Sequence, residues 1–281
     1  MLIVLMKLLF PFLLLLCLFN TANASALYEW HNKYKFTKSE QTQIDQWLAN
    51  GVTASQQTFS LLPFQTLRFN VSPQPNAREP VPWGQVDRDG NIIVLKIDTK
   101  FPTKSFIDDW TLYHEIAHLY LPFLDDSSIW LSEGFATYVQ QIIMLDNDVF
   151  DKDTFVRRIK AGFSRGIKNT AKQRGPLSSV SNNMWSRRAY MRVYWSGTAY
   201  FLEVDSLLQE QGSDLIEVIK QYVSCCLTSD AYGSELIKTL DQISNSDAFS
   251  TLYHQYKYRQ DFPDIGSKAI IKIADYYERK Q

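Results

Sequence analysis

His114, Glu115, Ile116, Ala117 and His118 form the stretch of this 281-residue chain whose types and spacing most plainly support chemistry. On a helix, residues four apart share a face, so both imidazoles can point at one metal ion. Glu115 sits beside them, able to take a proton from an activated water. The segment Trp130, Leu131, Ser132, Glu133, Gly134, Phe135, Ala136 follows and offers Glu133 as a third ligand. Zinc needs three protein ligands and one open position to activate water, and neutral imidazole and carboxylate suit it. One Zn2+ per chain, held by His114, His118 and Glu133, is the expected cofactor. Position 124, where a third histidine would complete a different ligand pattern, is Leu124, and His31 and His254 are remote. Glu133 followed by Gly134 is hard to explain by packing, because an unpaired buried carboxylate is costly. The competing reading is an apolar helix face, with Leu112, Ile116 and Leu119, that buries two satisfied histidines.

The elements that must position these residues follow from periodicity. Residues 39–59 are polar with Ile44, Trp47, Leu48 and Val52 at helical spacing. Residues 67–71 alternate like a strand, 73–83 are a proline-rich connection, and 91–98 read as a strand that pairs with 84–87 in a hairpin. Helices are expected at 105–121, 129–145, 153–169, 187–211, 214–226, 234–243, 247–258 and 266–279. The HEIAH helix and the Glu133 helix, joined by a short turn, would run antiparallel. The expected fold class is α+β and mainly helical, with a small α/β lobe over about 25–121 and a helical lobe over about 122–281. The metal site would lie where they meet, and no internal repeat is visible.

Composition bounds the rest. Hydrophobic residues are 45% and aromatic residues 14% of the chain, ample for a core, and the formal net charge of −1 gives no bulk affinity for nucleic acid. An apolar run at 8–19 followed by Ala22, Asn23 and Ala24 reads as a signal peptide over 1–24, with Met6 a competing start and a membrane anchor the alternative. Export to a periplasmic or secreted location is the consequence. Cleavage would leave Cys225 and Cys226, which read as buried small residues on a helix rather than a disulfide framework. Residues 154–192 carry ten Lys or Arg and no Asp or Glu. Such a segment is either a solvated face or a patch that attracts acidic substrates or an anionic envelope surface. Residues 173–186 are long and irregular enough for a flap.

At its motif residues the chain resembles the gluzincin metallopeptidases, especially the aminopeptidase N and glycyl aminopeptidase kind. That family has HExxH, then a WLxEGxA-type segment, then a Pro-Leu loop and a tyrosine three residues before a glycine that opens a long helix. Here these correspond to 114–118, 130–136, Pro176 with Leu177, and Tyr194 with Gly197. The resemblance runs over about 101–211. It implies a thermolysin-like zincin domain that hydrolyses a peptide or protein substrate, with His114, His118 and Glu133 as ligands, Glu115 as general base and Tyr194 as transition-state donor. Four departures stand out. No Gly-x-Met-Glu-Asn segment precedes HEIAH, and 83–98 contains no Glu. Too few residues precede His114 for the family's large β-rich domain. Tyr120 replaces a Trp, and Thr137 stands where thermolysin-like enzymes place an Asp. Zinc hydrolysis therefore carries over and aminopeptidase specificity does not. The alternatives are a hydrolase of a non-protein envelope amide, an inactive zinc-binding protein, and an interaction module in which HEIAH is coincidental. Oligomeric state is not written in the sequence.

Overall fold

The computed structural model describes residues 27–280. The expected signal peptide lies outside the described residues, and no described helix is long and apolar enough to cross a membrane.

The chain begins with β1 (Tyr28–His31), α1 (Lys38–Phe59), β2 (Leu67–Pro73), β3 (Trp83–Asp87) and β4 (Ile92–Ile97). Thr37 caps α1 through a reciprocal bond pair with Glu40. The strands form one sheet in the order β1-β2-β4-β3. β1, β2 and β4 run parallel, and β3 pairs antiparallel with β4 as the expected hairpin. β3 is therefore an edge strand. Leu67, Phe69 and Val71 of β2 and Ile93, Leu95 and Ile97 of β4 are buried. β1 was not expected; its four residues are too few to display a period.

Helices follow. They are α2 (Thr103–Asp108), α3 (Thr111–His118), α4 (Ile129–Asp146), α5 (Lys152–Thr170), α6 (Leu177–Asn182), α7 (Met184–Arg187), α8 (Tyr190–Glu210), α9 (Leu215–Cys225), α10 (Gly233–Ser244), α11 (Ala248–Lys257) and α12 (Ser267–Lys280). A short parallel pair, β5 (Phe123–Leu124) with β6 (Asp230–Ala231), ties the turn after α3 to the segment before α10. The architecture is mixed α/β and mostly helical.

Several expectations change. The helix expected at 105–121 is two helices: Asp109 is extended, and its carboxylate accepts from the Thr111 amide at 2.8 Å. This local bond competes with helix continuation. The helix expected from 187 begins at Tyr190, because Arg188 is left-handed with φ 54°. Residues 173–186 are not an irregular flap. They form α6 and α7, pinned where Ser181 Oγ accepts from the Trp130 amide at 3.0 Å and donates to the Asp126 carbonyl at 3.2 Å. Cys225 and Cys226 are not buried. They are exposed and half-buried, and are joined to each other at the end of α9.

Two features fix the helices around the future site. α4 and α8 meet backbone to backbone: a Cβ added to Gly134 would lie 2.3 Å from the Gly197 backbone, and one on Gly197 would lie 2.0 Å from the Trp130 carbonyl oxygen. Gly134 therefore does have a packing reason, one that a sequence cannot display. Farther along, Asp205 of α8 accepts from Tyr138 of α4 at 2.6 Å, Tyr277 of α12 at 2.9 Å and the Leu215 amide of α9 at 2.9 Å.

Burial pushes the Asp205 carboxyl up to about 6 from 3.8, against the pull of these donors. The folded chain thus holds this proton until about pH 6, whereas the unfolded chain releases it near 3.8. Unfolding releases a proton between those values, so this group's contribution to stability falls as pH rises from 4 to 7, by about 2 kcal/mol. Urea unfolding of the metal-stripped protein and of Asp205→Asn across pH 4–7 checks this. The stability difference between them should shift by that amount in that direction; a flat difference would refute the assignment.

Candidate metal centre

All eight residues of α3 are buried, because the helix lies between β3, α1 and α4. Tyr113 donates to Asn50 of α1 at 3.0 Å, and Tyr120, just past the helix, stacks on Phe59 with ring centroids 3.9 Å apart. These contacts fix the rotation of α3, and that rotation sends His114 and His118 toward α4. Glu133 arrives in the second turn of α4.

The three side chains converge. His114 Nε2 and His118 Nε2 are 3.1 Å apart, and Glu133 Oε2 lies 3.3 Å from the first and 3.5 Å from the second. A tetrahedral zinc ion with bonds of roughly 2.0–2.2 Å needs donor atoms about 3.4 Å apart. The triangle fits. The outer nitrogens agree: His114 Nδ1 lies 2.8 Å from Gln140 Oε1, and His118 Nδ1 lies 3.2 Å from Ser132 Oγ. Gln140 Oε1 can only accept, so Nδ1 of His114 carries the proton and Nε2 presents its lone pair inward.

Electrostatics follow from burial. His118 and His114 hold the Glu133 carboxylate well below the usual range, although burial opposes this. Burial raises Glu115, with His114, His118 and Arg88 pulling against it. His114 is raised because the Glu133 bond and the Glu115 charge outweigh its desolvation. Tyr194 lies nearly parallel to the His114 ring with centroids 5.9 Å apart, and its hydroxyl lies in the field of the Glu133 carboxylate. Burial, then the Glu133 charge, raise this phenol well above its ordinary value.

The structure brings together His114, Glu115, His118, Glu133 and Tyr194 around one cavity of about 560 Å3. It adds residues that sequence reasoning missed. Arg88, just after β3, donates to the carbonyls of His118 at 3.2 Å and Leu121 at 3.3 Å, which satisfies the end of α3. Gly84 of β3 lets the strand approach: a Cβ there would lie 2.9 Å from Glu115 Oε1. Trp83, Phe123 and Trp185 form an exposed aromatic rim. Gln140 lies seven residues after Glu133, two helical turns on, a period that by itself did not single it out.

Residues 112–201 match the M61 glycyl aminopeptidase family. An aminopeptidase N family protein from Idiomarina loihiensis superposes with a TM-score of 0.51 at 18% identity, over 83% of this chain and 42% of that one. Over residues 112–201 the chain is thus similar to the glycyl aminopeptidases. An M1 zinc metallopeptidase from Deinococcus radiodurans superposes with a TM-score of 0.49 at 15% identity, over 84% of this chain and 48% of that one. The chain thus spans less than half the length of either structure. A comparison with curated proteins gives no match.

Two substitutions test this gluzincin-like centre. Gln140→Leu frees the His114 ring and should weaken zinc binding about 10- to 100-fold while the fold persists; competition with a fluorescent chelator measures it, and unchanged affinity removes Gln140 from the site. Gly197→Ala should cost roughly 1–3 kcal/mol or more by forcing α4 and α8 apart, and should weaken zinc binding as Glu133 moves. A urea midpoint equal to the parent's would show that the helices tolerate a methyl group there.

Proposed function

We propose that the chain is a zinc-dependent metallopeptidase of thermolysin-like lobe arrangement, in which a small α/β lobe and a helical lobe flank the centre. The observation that carries the reading is the triangle of His114, His118 and Glu133 with Glu115 and Tyr194 on the same cavity. Zinc, when bound there, would polarise the scissile carbonyl and lower the pKa of a water.

The remaining work falls to side chains. Glu115, raised by burial and pressed against Gly84, takes the proton of the attacking water and passes it to the leaving amine. Its raised affinity for a proton suits both halves of that transfer. The Tyr194 hydroxyl keeps its proton at neutral pH and can turn from Glu133 to the developing oxyanion. The outer edge of β3, lined by Trp83, Gly84, Gln85 and Val86, can pair with an extended peptide and present its carbonyl to the centre. This supports a peptide substrate over a compact one. Export to the periplasm or exterior, by the leader at 1–24, remains part of the proposal.

Glu115→Gln is the decisive substitution. It should bind one zinc per chain, as the parent does, and lose at least about 1,000-fold in peptide hydrolysis, since only the base is removed. Metal analysis beside a peptide-cleavage assay reads both. Hydrolysis unchanged in the variant sinks the mechanism, and a folded parent that takes up no zinc sinks the function.

A further inference from the structure

Tyr194 belongs to two cavities. The second, of about 310 Å3, lies between α4, α5 and α8 and is lined by Trp110, Thr137, Gln141, Arg158, Arg165 and Trp195, among others. Its size is at the low end for a ligand pocket, roughly that of one side chain with its flanking peptide group.

The lining is built and incomplete. Thr137 and Gln141 are 4% and 3% exposed, yet Thr137 Oγ1 and Gln141 Oε1 have no hydrogen-bond partner. They are two of ten buried side-chain atoms without a partner among the described residues, and they lie behind the wall of this one small cavity. Among the described residues, neither Arg158 nor Arg165 has an ion-pair partner within 4.0 Å. Arg158 reaches Met144 Sδ at 3.8 Å and lies over Phe150, while Arg165 lies over Trp195 at 5.1 Å. Asp108 and Asp109 act on Arg158 only through their field, and Asp109 is already engaged by the Thr111 amide. Trp195 forms a close-packed wall because α5 has glycine at two successive turns: a Cβ on Gly162 would lie 2.1 Å from its ring, and one on Gly166 would lie 2.9 Å from its Cβ.

We propose that this cavity is a specificity pocket that accepts an acidic side chain of the peptide cleaved at the adjacent centre. The carboxylate meets Arg158 and Arg165, and the indole walls cover the methylenes. The pocket discriminates because the two guanidinium groups gain a charge-assisted partner from glutamate and not from its amide isostere. The inference rests on the peptidase reading.

Calorimetry on zinc-loaded Glu115→Gln tests it, with acetyl-alanyl-glutamyl-alanine amide, its glutamine isostere and acetate as probes. The glutamyl peptide should bind about tenfold tighter than the glutaminyl peptide. Adding Arg158→Gln and Arg165→Gln together should bring the two within about twofold, at unchanged zinc content. Ala161→Leu, on the exposed side of α5 and on the cavity wall, should weaken the glutamyl peptide independently of charge. Equal binding of the two peptides, discrimination that survives loss of both arginines, acetate that binds as tightly as the peptide, or indifference to Ala161→Leu each overturns the pocket. Hydrolysis by the parent chain keeps the two readings apart. Discrimination without cleavage of any peptide removes the function and leaves the pocket; cleavage without discrimination does the reverse.

Discussion

The contact of α4 with α8 at Gly134 and Gly197 sets everything around the centre. Glycine costs a helix about 0.5–1 kcal/mol relative to alanine at each position. Here the backbones themselves touch, so any side chain would have to displace a helix rather than a rotamer. Glu133 immediately precedes one of these glycines and Tyr194 lies one turn before the other. Their side chains are therefore brought to one cavity by backbone geometry, not by flexible reach. Farther along the same helix pair, Tyr138 and Asp205 add a second tie. The two ties hold α4 at both ends of the stretch that carries Glu133 and Gln140, which is what a site with tolerances of tenths of an ångström requires.

That rigidity is spent on an arrangement that is electrostatically unfavourable by itself. Two imidazoles and two carboxylates are removed from water, and desolvation penalises every charged form. His114 has committed its Nδ1 proton to Gln140. Its Nε2 faces that of His118 at 3.1 Å, a distance that is favourable only with a proton or a cation between them. A divalent cation satisfies both nitrogens and Glu133 at once. Two histidines packed as plain core residues would account for the outer contacts, but not for three possible ligand atoms, two nitrogens and one carboxylate oxygen, gathered within 3.5 Å of one another. Arg88 contributes in a second way, as its charge faces Glu115 and Glu133 while its donors close the end of α3.

How much of this was legible in the sequence depends on the range of the interaction. Helices α4, α5 and α9 to α12 lie within a few residues of their expected bounds, because their apolar stripes repeat over three or more turns. The β3–β4 hairpin was legible for the same reason, with Asp89 and Gly90 marking its turn. The break at Asp109 was not, since one carboxylate–amide bond decided it against a continuous helical pattern. The ligand candidates were legible because two of the three lie one turn apart. Gln140, Arg88 and Gly84 were not, because each acts through a contact made only when distant segments meet. The cysteines were misread as buried: α9 ends just where its apolar face ends, and the pair falls past it.

The basic run at 154–192 shows the same limit from the side of charge. In sequence it is one block of ten cations. In the fold it divides. Arg192 is fully buried and donates to the carbonyls of Gln173, Gly175, Arg259 and Gln260, so its charge serves to hold the loop before α6. Arg187 binds the same loop through Gln173 and Arg174. Arg158 and Arg165, which lie seven residues apart on α5, turn together toward the cavity behind the aromatic pair Tyr194 and Trp195. A uniform patch would attract any anion and its effect would be screened within about 8–10 Å in salt. Two cations held beside one aromatic wall, Arg158 half-buried and Arg165 exposed, act at contact range instead, on whatever group the cavity admits. The metal cavity beside it is lined by Glu115 and Glu133 with only Arg88 to balance them. Tyr194 thus divides an acid-rich chamber from a cation-rich one. On the proposed reading, a peptide lying across that boundary would be oriented by its own charge.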